Sequence, residues 1–201
     1  MNETTCGRPH HATPPNLTVD APVADAPDDC EDDLHGLWFQ HARILERDLD
    51  RPGLTDLRFE DCDLSAIVAS GAMLRRTVIA TTRVRAIVFA KGQIEDTIVH
   101  DCQTTELSLR FTRLRQVVFR DCDLSGVDFY NTTFDHVTID SCDLQRAQFD
   151  AAIVKCLAIT SCNLAGVTGV TGLRGAQIDM SDLPALAPSL AHEIGLKLRD
   201  A

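Results

Sequence analysis

From Leu34 to Leu164 every fifth side chain is large and apolar. The series opens Leu34, Phe39, Ile44, Leu49, Leu54, Phe59 and Leu64, and 25 of its 27 members are Leu, Ile, Val or Phe; only Ala69 and Thr104 depart. Two residues before each member the side chain is mostly small or β-branched, as at Cys62, Ala72, Thr82, Cys102, Thr112, Cys122, Val137, Ala147 and Cys162. A period of five fits neither the 3.6 of an amphipathic helix nor the 2.0 of an alternating strand. It fits a chain that turns a corner every five residues and points two side chains inward from each short side. Cys62, Cys102, Cys122, Cys142 and Cys162 are spaced in multiples of 20 residues, so four sides make one coil and equivalent residues stack. At the ~4.8 Å spacing of hydrogen-bonded strands, residues 34–164 make a rod roughly 30 Å long. Each coil then leans only on its neighbours.

Runs such as DCDLSGVDFYNTTFDHVTIDSCDLQRAQFD resemble the pentapeptide-repeat proteins. The resemblance covers about residues 34–183 and implies an all-β fold, a right-handed quadrilateral parallel β-helix. Leu57, Ile67, Ile87, Leu107 and Leu157 put a bulkier residue where that family prefers Ala. Those coils are expected to be wider, or their inward side chains differently oriented.

The ends follow other rules. Residues 1–33 carry five prolines and eight acids against the single base Arg8. Such a segment buries too little apolar surface to offset its ordering entropy, and it reads as a disordered tail. Cys6, His10, His11 and Cys30 lack the tight spacing of a metal site. Trp38 is expected to cap the first coil. After Leu164 the phase slips by one residue, to Leu173, Ile178 and Leu183, within the glycine-rich AGVTGVTGLRG. Residues 184–201 read as a short C-terminal helix and strand, with Ser181 or Asp182 as N-cap and Gly195 as C-cap. The segment reads as a cap over the open edge of the solenoid, as a dimer interface, or as both; Leu186, Leu190 and Ile194, which recur every four residues, form with Leu196 the candidate dimer interface. This ending also resembles the helix through which quinolone-resistance and gyrase-binding pentapeptide proteins form dimers.

Net charge is −11, which argues against direct nucleic-acid or membrane binding, since both depend on cations. No apolar run approaches the ~20 residues of a membrane helix. The first residues lack a secretory pattern, so the chain reads as cytoplasmic and the five evenly spaced cysteines as reduced, buried thiols. No phosphate loop, HExxH or GxSxG occurs, and paired carboxylates on a convex rod have no cleft to perturb them. The sequence therefore predicts no catalytic, cofactor or metal residues and a function in protein–protein interaction.

Charge is banded along the rod: residues 75–120 hold nine bases and four acids, and residues 121–150 hold seven acids and Arg146. Stacking by 20 places Asp61, Asp101 and Asp121 in one column and Asp63, Asp123 and Asp143 in the next, interrupted at Thr81 and Arg83. These six form the candidate interaction stripe. The family resemblance implies one use for it, as a DNA mimic that modulates or protects DNA gyrase. An interaction scaffold with a different protein partner is the alternative.

Overall fold

Residues 20 apart pair side by side, all in parallel. The register runs Leu54 to Leu74, Ile94, Leu114, Phe134 and Val154 without a break. The structure, a computed structural model, describes Ala12 and residues 33–49 and 51–197; all but Ala12 and Asp33 of the acidic segment 1–33 lie outside the described residues. Asp33 accepts a hydrogen bond from Gly53 N–H at 2.7 Å.

The fold is a parallel β-solenoid of about seven turns ending in one short helix. Each coil has four sides, centred on the large inward residue of each five. Sides one and two share the eight-residue strands Gly53–Glu60, Met73–Ala80, Gln93–His100, Arg113–Arg120, Thr133–Asp140 and Ile153–Thr160. Sides three and four begin as the strands Arg43–Asp48 and Asp63–Val68, shorten to Arg83–Arg85 and Gln103–Thr105, and thereafter pair only through isolated bridges such as Asp123 with Asp143 and Asp128 with Gln148.

The corners explain the period. From His41 to Gly166 every fifth residue has positive φ, near 50–60° where it is not glycine, with Cys156 the single exception. L-residues enter this region reluctantly, Asp, Asn and His less so. Here each corner N–H is fixed by the next coil, as in Asp61 N–H to the Ala80 carbonyl at 3.2 Å and Asp121 N–H to the Asp140 carbonyl at 3.1 Å. The register slips where Cys156 occupies this position: Phe134 pairs with Val154 but Asp135 with Cys156. Cys156 is also disulfide-bonded, whereas Cys62, Cys102, Cys122, Cys142 and Cys162 are free and buried.

Inside, the two halves of the rod differ. Phe129, Phe134 and Phe149 are fully buried, with ring centroids 5.0 Å apart for Phe129 and Phe149 and 5.4 Å for Phe129 and Phe134. In these coils the corner between sides three and four is closed by a turn hydrogen bond, Val127 N–H to Leu124 at 3.2 Å and Ala147 N–H to Leu144 at 3.0 Å. The small inward position after that corner is Val127, Ala147 and Val167. In the earlier coils it is Arg47, Ile67, Ile87 and Leu107, and the corner is strand-like at Asp63–Val68. Ile87 and Leu107 are only partly buried. Bulk at the small position accompanies an open interior here, where Ile67, Ile87 and Leu107 border an apolar space, whereas the equally bulky Leu57 and Leu157 are fully buried.

Beyond Leu164 the chain passes directly over the preceding coil. A Cβ on Gly169 would lie 2.2 Å from the Asp150 nitrogen, and one on Gly172 2.0 Å from the Phe149 carbonyl oxygen. Glycine alone permits that approach. A single 3-10 turn, Val170–Leu173, then leads to Gln177–Ile178, which pairs 19 residues back with Ala158 and Ile159; this is the one-residue slip. The helix Leu183–Glu193 closes the end, with Pro184 in its first turn and Pro188 inside it. Asp182 precedes the helix, but its Oδ2 accepts from Cys162 N–H at 2.9 Å and makes no cap bond to the helix. Gly195 has φ +80 and supplies the expected left-handed exit, while Leu196 and Lys197 form no strand.

Candidate interaction surfaces

Ion pairs between coils absorb part of the banded charge. Asp135 faces Arg113 at 3.3 Å, Lys155 at 3.2 Å and His136 at 2.9 Å. Arg115 meets Glu95 at 2.9 Å, Arg110 meets Asp128 at 2.9 Å and Arg120 meets Asp140 at 3.7 Å. Partial burial pushes the Asp135 carboxyl up, but hydrogen bonds from His136, Lys155 and Arg113 outweigh it and hold it below the ordinary range. Three acids of the acidic band, Asp128, Asp135 and Asp140, are thus neutralised by arginines of the basic band in the preceding coil.

The candidate stripe divides in two. In the upper part, Asp61 lies 4.0 Å from His41, Asp63 3.9 Å from Arg83, and Asp101 2.8 Å from His100. All three line a shallow polar depression of about 370 Å³ together with Thr81 and Arg83. In the lower part, Asp123 and Asp143 are bridge partners, and Asp121 occupies the corner beside them with φ +51. Among the described residues no cation pairs with Asp121, Asp123 or Asp143. Their backbone role is nonetheless real: Asp123 Oδ1 accepts from Ser125 N–H and Asp143 Oδ1 from Gln145 N–H, both at 2.9 Å.

The thiols between these carboxylates point inward. Each sulfur sits beside backbone carbonyls, as Cys122 does beside the Arg120 carbonyl at 3.1 Å. Burial raises the Cys62 thiol; a hydrogen bond to the Cys122 sulfur, reinforced by burial, raises Cys102 and Cys142. Among the described residues no cluster of His, Cys, Asp or Glu is arranged to hold a metal, and no helix is long and apolar enough to cross a membrane.

The four candidate interface residues also separate. Leu186 is 2% exposed and belongs to the core, whereas Leu190, Ile194 and Leu196 are 37%, 71% and 58% exposed. Leu183, Leu186 and Leu190 form one wall of an apolar groove of about 530 Å³, with Val170, Leu173 and Ile178 opposite. Glu193 ties the helix to the coil by accepting from Val170 N–H at 2.5 Å and Thr171 N–H at 2.8 Å.

Residues 100–168 match the family model of the pentapeptide repeat region. These residues are a pentapeptide repeat region. Among solved structures, HetL of the cyanobacterium Nostoc, a pentapeptide repeat protein involved in heterocyst differentiation regulation, aligns with a TM-score of 0.55 at 16% identity over 69% of this chain. The chain spans 65% of the length of HetL. QnrB1, a plasmid-mediated fluoroquinolone resistance protein, aligns in a trypsin-treated form with a TM-score of 0.44 at 14% identity, over 88% of this chain and 96% of its own. No curated protein matches the sequence. At such identities the HetL likeness shows the fold alone.

Two features of this pentapeptide-repeat rod lie outside the sequence expectations. Trp38 does not cap the first coil; it lies on the outer face of side two, 5.4 Å beneath the Arg58 guanidinium, and its neighbour Phe39 fills the interior. The exposed large apolar residues of the coils, Val68, Met73, Val88, Phe111 and Ile153, all lie on side four or along its junction with side one. Phe111 packs edge-on against Tyr130 at 5.4 Å, with the Arg110 guanidinium 4.5 Å from the Tyr130 ring. The only sequence signal for this patch is an aromatic residue at an outward corner position.

Proposed function

We propose that this protein is a non-catalytic interaction module whose Asp121–Asp123–Asp143 corner engages a basic groove on a protein partner. The observation that carries the reading is selective pairing: Asp128, Asp135 and Asp140 are neutralised by arginines of the preceding coil, while this corner keeps its charge for a partner. Unpaired surface carboxylates on a rigid scaffold attract a basic surface over a distance set by ionic strength. Duplex DNA carries one charge per ~1.7 Å of axis, and three carboxylates over two coils of ~4.8 Å each supply about half that density over a short arc. The groove that fits is a DNA-binding one, and the partner proposed is DNA gyrase, a type II topoisomerase.

A second copy belongs to the same reading. Leu190, Ile194 and Leu196 leave an apolar face beside the groove at the closed end, and a homodimer covers it. In sedimentation velocity Leu190→Arg gives a monomer with an unchanged circular dichroism spectrum.

The decisive experiment is a DNA supercoiling assay with purified gyrase, with and without a fluoroquinolone. The wild type changes the extent of supercoiling, and D121K/D123K/D143K loses the effect while keeping its fold and dimer. Full activity in the triple variant overturns the role of the corner. A wild type without effect at any concentration overturns gyrase as partner and leaves an interaction scaffold for another protein.

A further inference from the structure

The wide half of the rod contains an apolar cavity of about 150 Å³, bounded at one end by Leu34 in the first coil and at the other by Leu124. Its origin is legible residue by residue. Ala69 and Thr104, the two departures from the large inward position, both line it, and Val84 and Val99 are small members of the same series. Ile67, Ile87 and Leu107 meanwhile hold the fourth side outward and contribute wall. Widening and underfilling thus coincide in the same coils, where the later coils have Phe129 and Phe149.

The wall also states what it accepts. Thr104 Oγ1 donates to the Asp123 carbonyl at 2.8 Å and Thr97 Oγ1 to the Glu95 carbonyl at 2.9 Å. Both hydroxyls on the wall are therefore already engaged with backbone; Arg47, the one charged residue of the lining, stands at its first-coil end, and the surface facing the space is apolar. Water needs two to four polar partners to occupy a cavity, and cavities of this size lined by aliphatic and aromatic side chains stay dry and admit small apolar molecules. A ligand with a hydroxyl or charge would bury it unpaired.

We propose that the N-terminal coils hold a binding site for a neutral hydrocarbon group of about benzene size, free of hydrogen-bonding atoms. The site lies inside the coil, away from the acidic corner, and does not depend on the proposed partner. Entry requires only local opening of the wide coils, which lack the turn bond between sides three and four.

Benzene, with phenol as its polar counterpart, tests the site in thermal unfolding and in methyl NMR of Val84, Val99 and Leu109. Benzene at ten times its dissociation constant lowers the unfolding equilibrium constant about elevenfold and shifts those methyl signals, while phenol binds at least tenfold more weakly. Ala69→Leu and Thr104→Leu each fill the space and abolish the benzene response; using both guards against one failing to fold. The proposal is overturned if benzene leaves wild-type unfolding and methyl signals unchanged, if phenol binds equally well, or if the response survives in a folded filled variant.

Discussion

The coils around Ala69 and those around Phe129 share one backbone plan and differ in how tightly it closes. Around Phe129 the inward pair is one aromatic and one small residue, the corner between sides three and four forms a hydrogen-bonded turn, and the interior is full. Around Ala69 the pair is inverted to Ile67 and Ala69, the corner is strand-like, and about 150 Å³ stays open. At roughly 24 cal/mol per Å³ an unfilled space of that size forgoes about 4 kcal/mol. The solenoid tolerates this because coils bond to one another through the backbone whatever fills them. Regular backbone and dense core are thus separable properties in this architecture.

The comparison is broken most forcefully at the phenylalanines. Phe129→Asp puts a charge into the packed stack and abolishes soluble folding. Phe129→Ala costs about 3–5 kcal/mol in chemical denaturation, and Phe89→Ala costs clearly less because its neighbours already border open space. Equal costs would mean the two halves are equally packed.

Adding volume sharpens the contrast by reversing its sign. Ala69→Leu stabilises the rod by about 1–2 kcal/mol, whereas Ala147→Leu overpacks the closed half and destabilises it by about 1–3 kcal/mol. Melting temperatures of the two variants should move in opposite directions.

Electrostatic effects are smaller and depend on pH. The Asp135 carboxyl sits below its ordinary range in the folded state, so its contribution is present above the ordinary carboxylate pKa, near 4, and disappears as pH falls through the folded value. Asp135→Asn therefore lowers the melting temperature at pH 7, and the difference between variant and wild type closes below about pH 4. A constant difference across that range would assign the loss to packing. Least of all should happen at the thiols: Cys122 and Cys142 stay unlabelled by a thiol reagent until denaturant is added, since burial excludes the reagent.

Much of this molecule can be read from spacing alone. The five-residue period, the 20-residue stack and the slip before Leu173 are consequences of inward volume, and a linear chain displays them directly. The candidate interaction surfaces were less legible. Counted along the chain, residues 75–150 look strongly banded, but Glu95 meets Arg115 of the next coil and Asp135 meets Lys155 of the next. Asp61, Asp101 and Asp121 also answer to the backbone, because an Asp suits a left-handed corner; residue type alone does not separate that duty from recognition. Trp38 misled because a large aromatic near a chain start suggests a lid, whereas its position one residue before Phe39 assigns it to the outer face.

The left-handed corners carry a last implication, for lineage. A four-sided winding counts its residues: inserting 20 lengthens the rod by one storey and leaves every column aligned. Removing five between Asp143 and the closing helix instead indexes everything beyond by a quarter turn. The apolar groove would then look out over a different side from the Asp121 corner, with each coil still internally sound. Small deletions in this architecture act as a gearbox, re-aiming one surface against another without altering either.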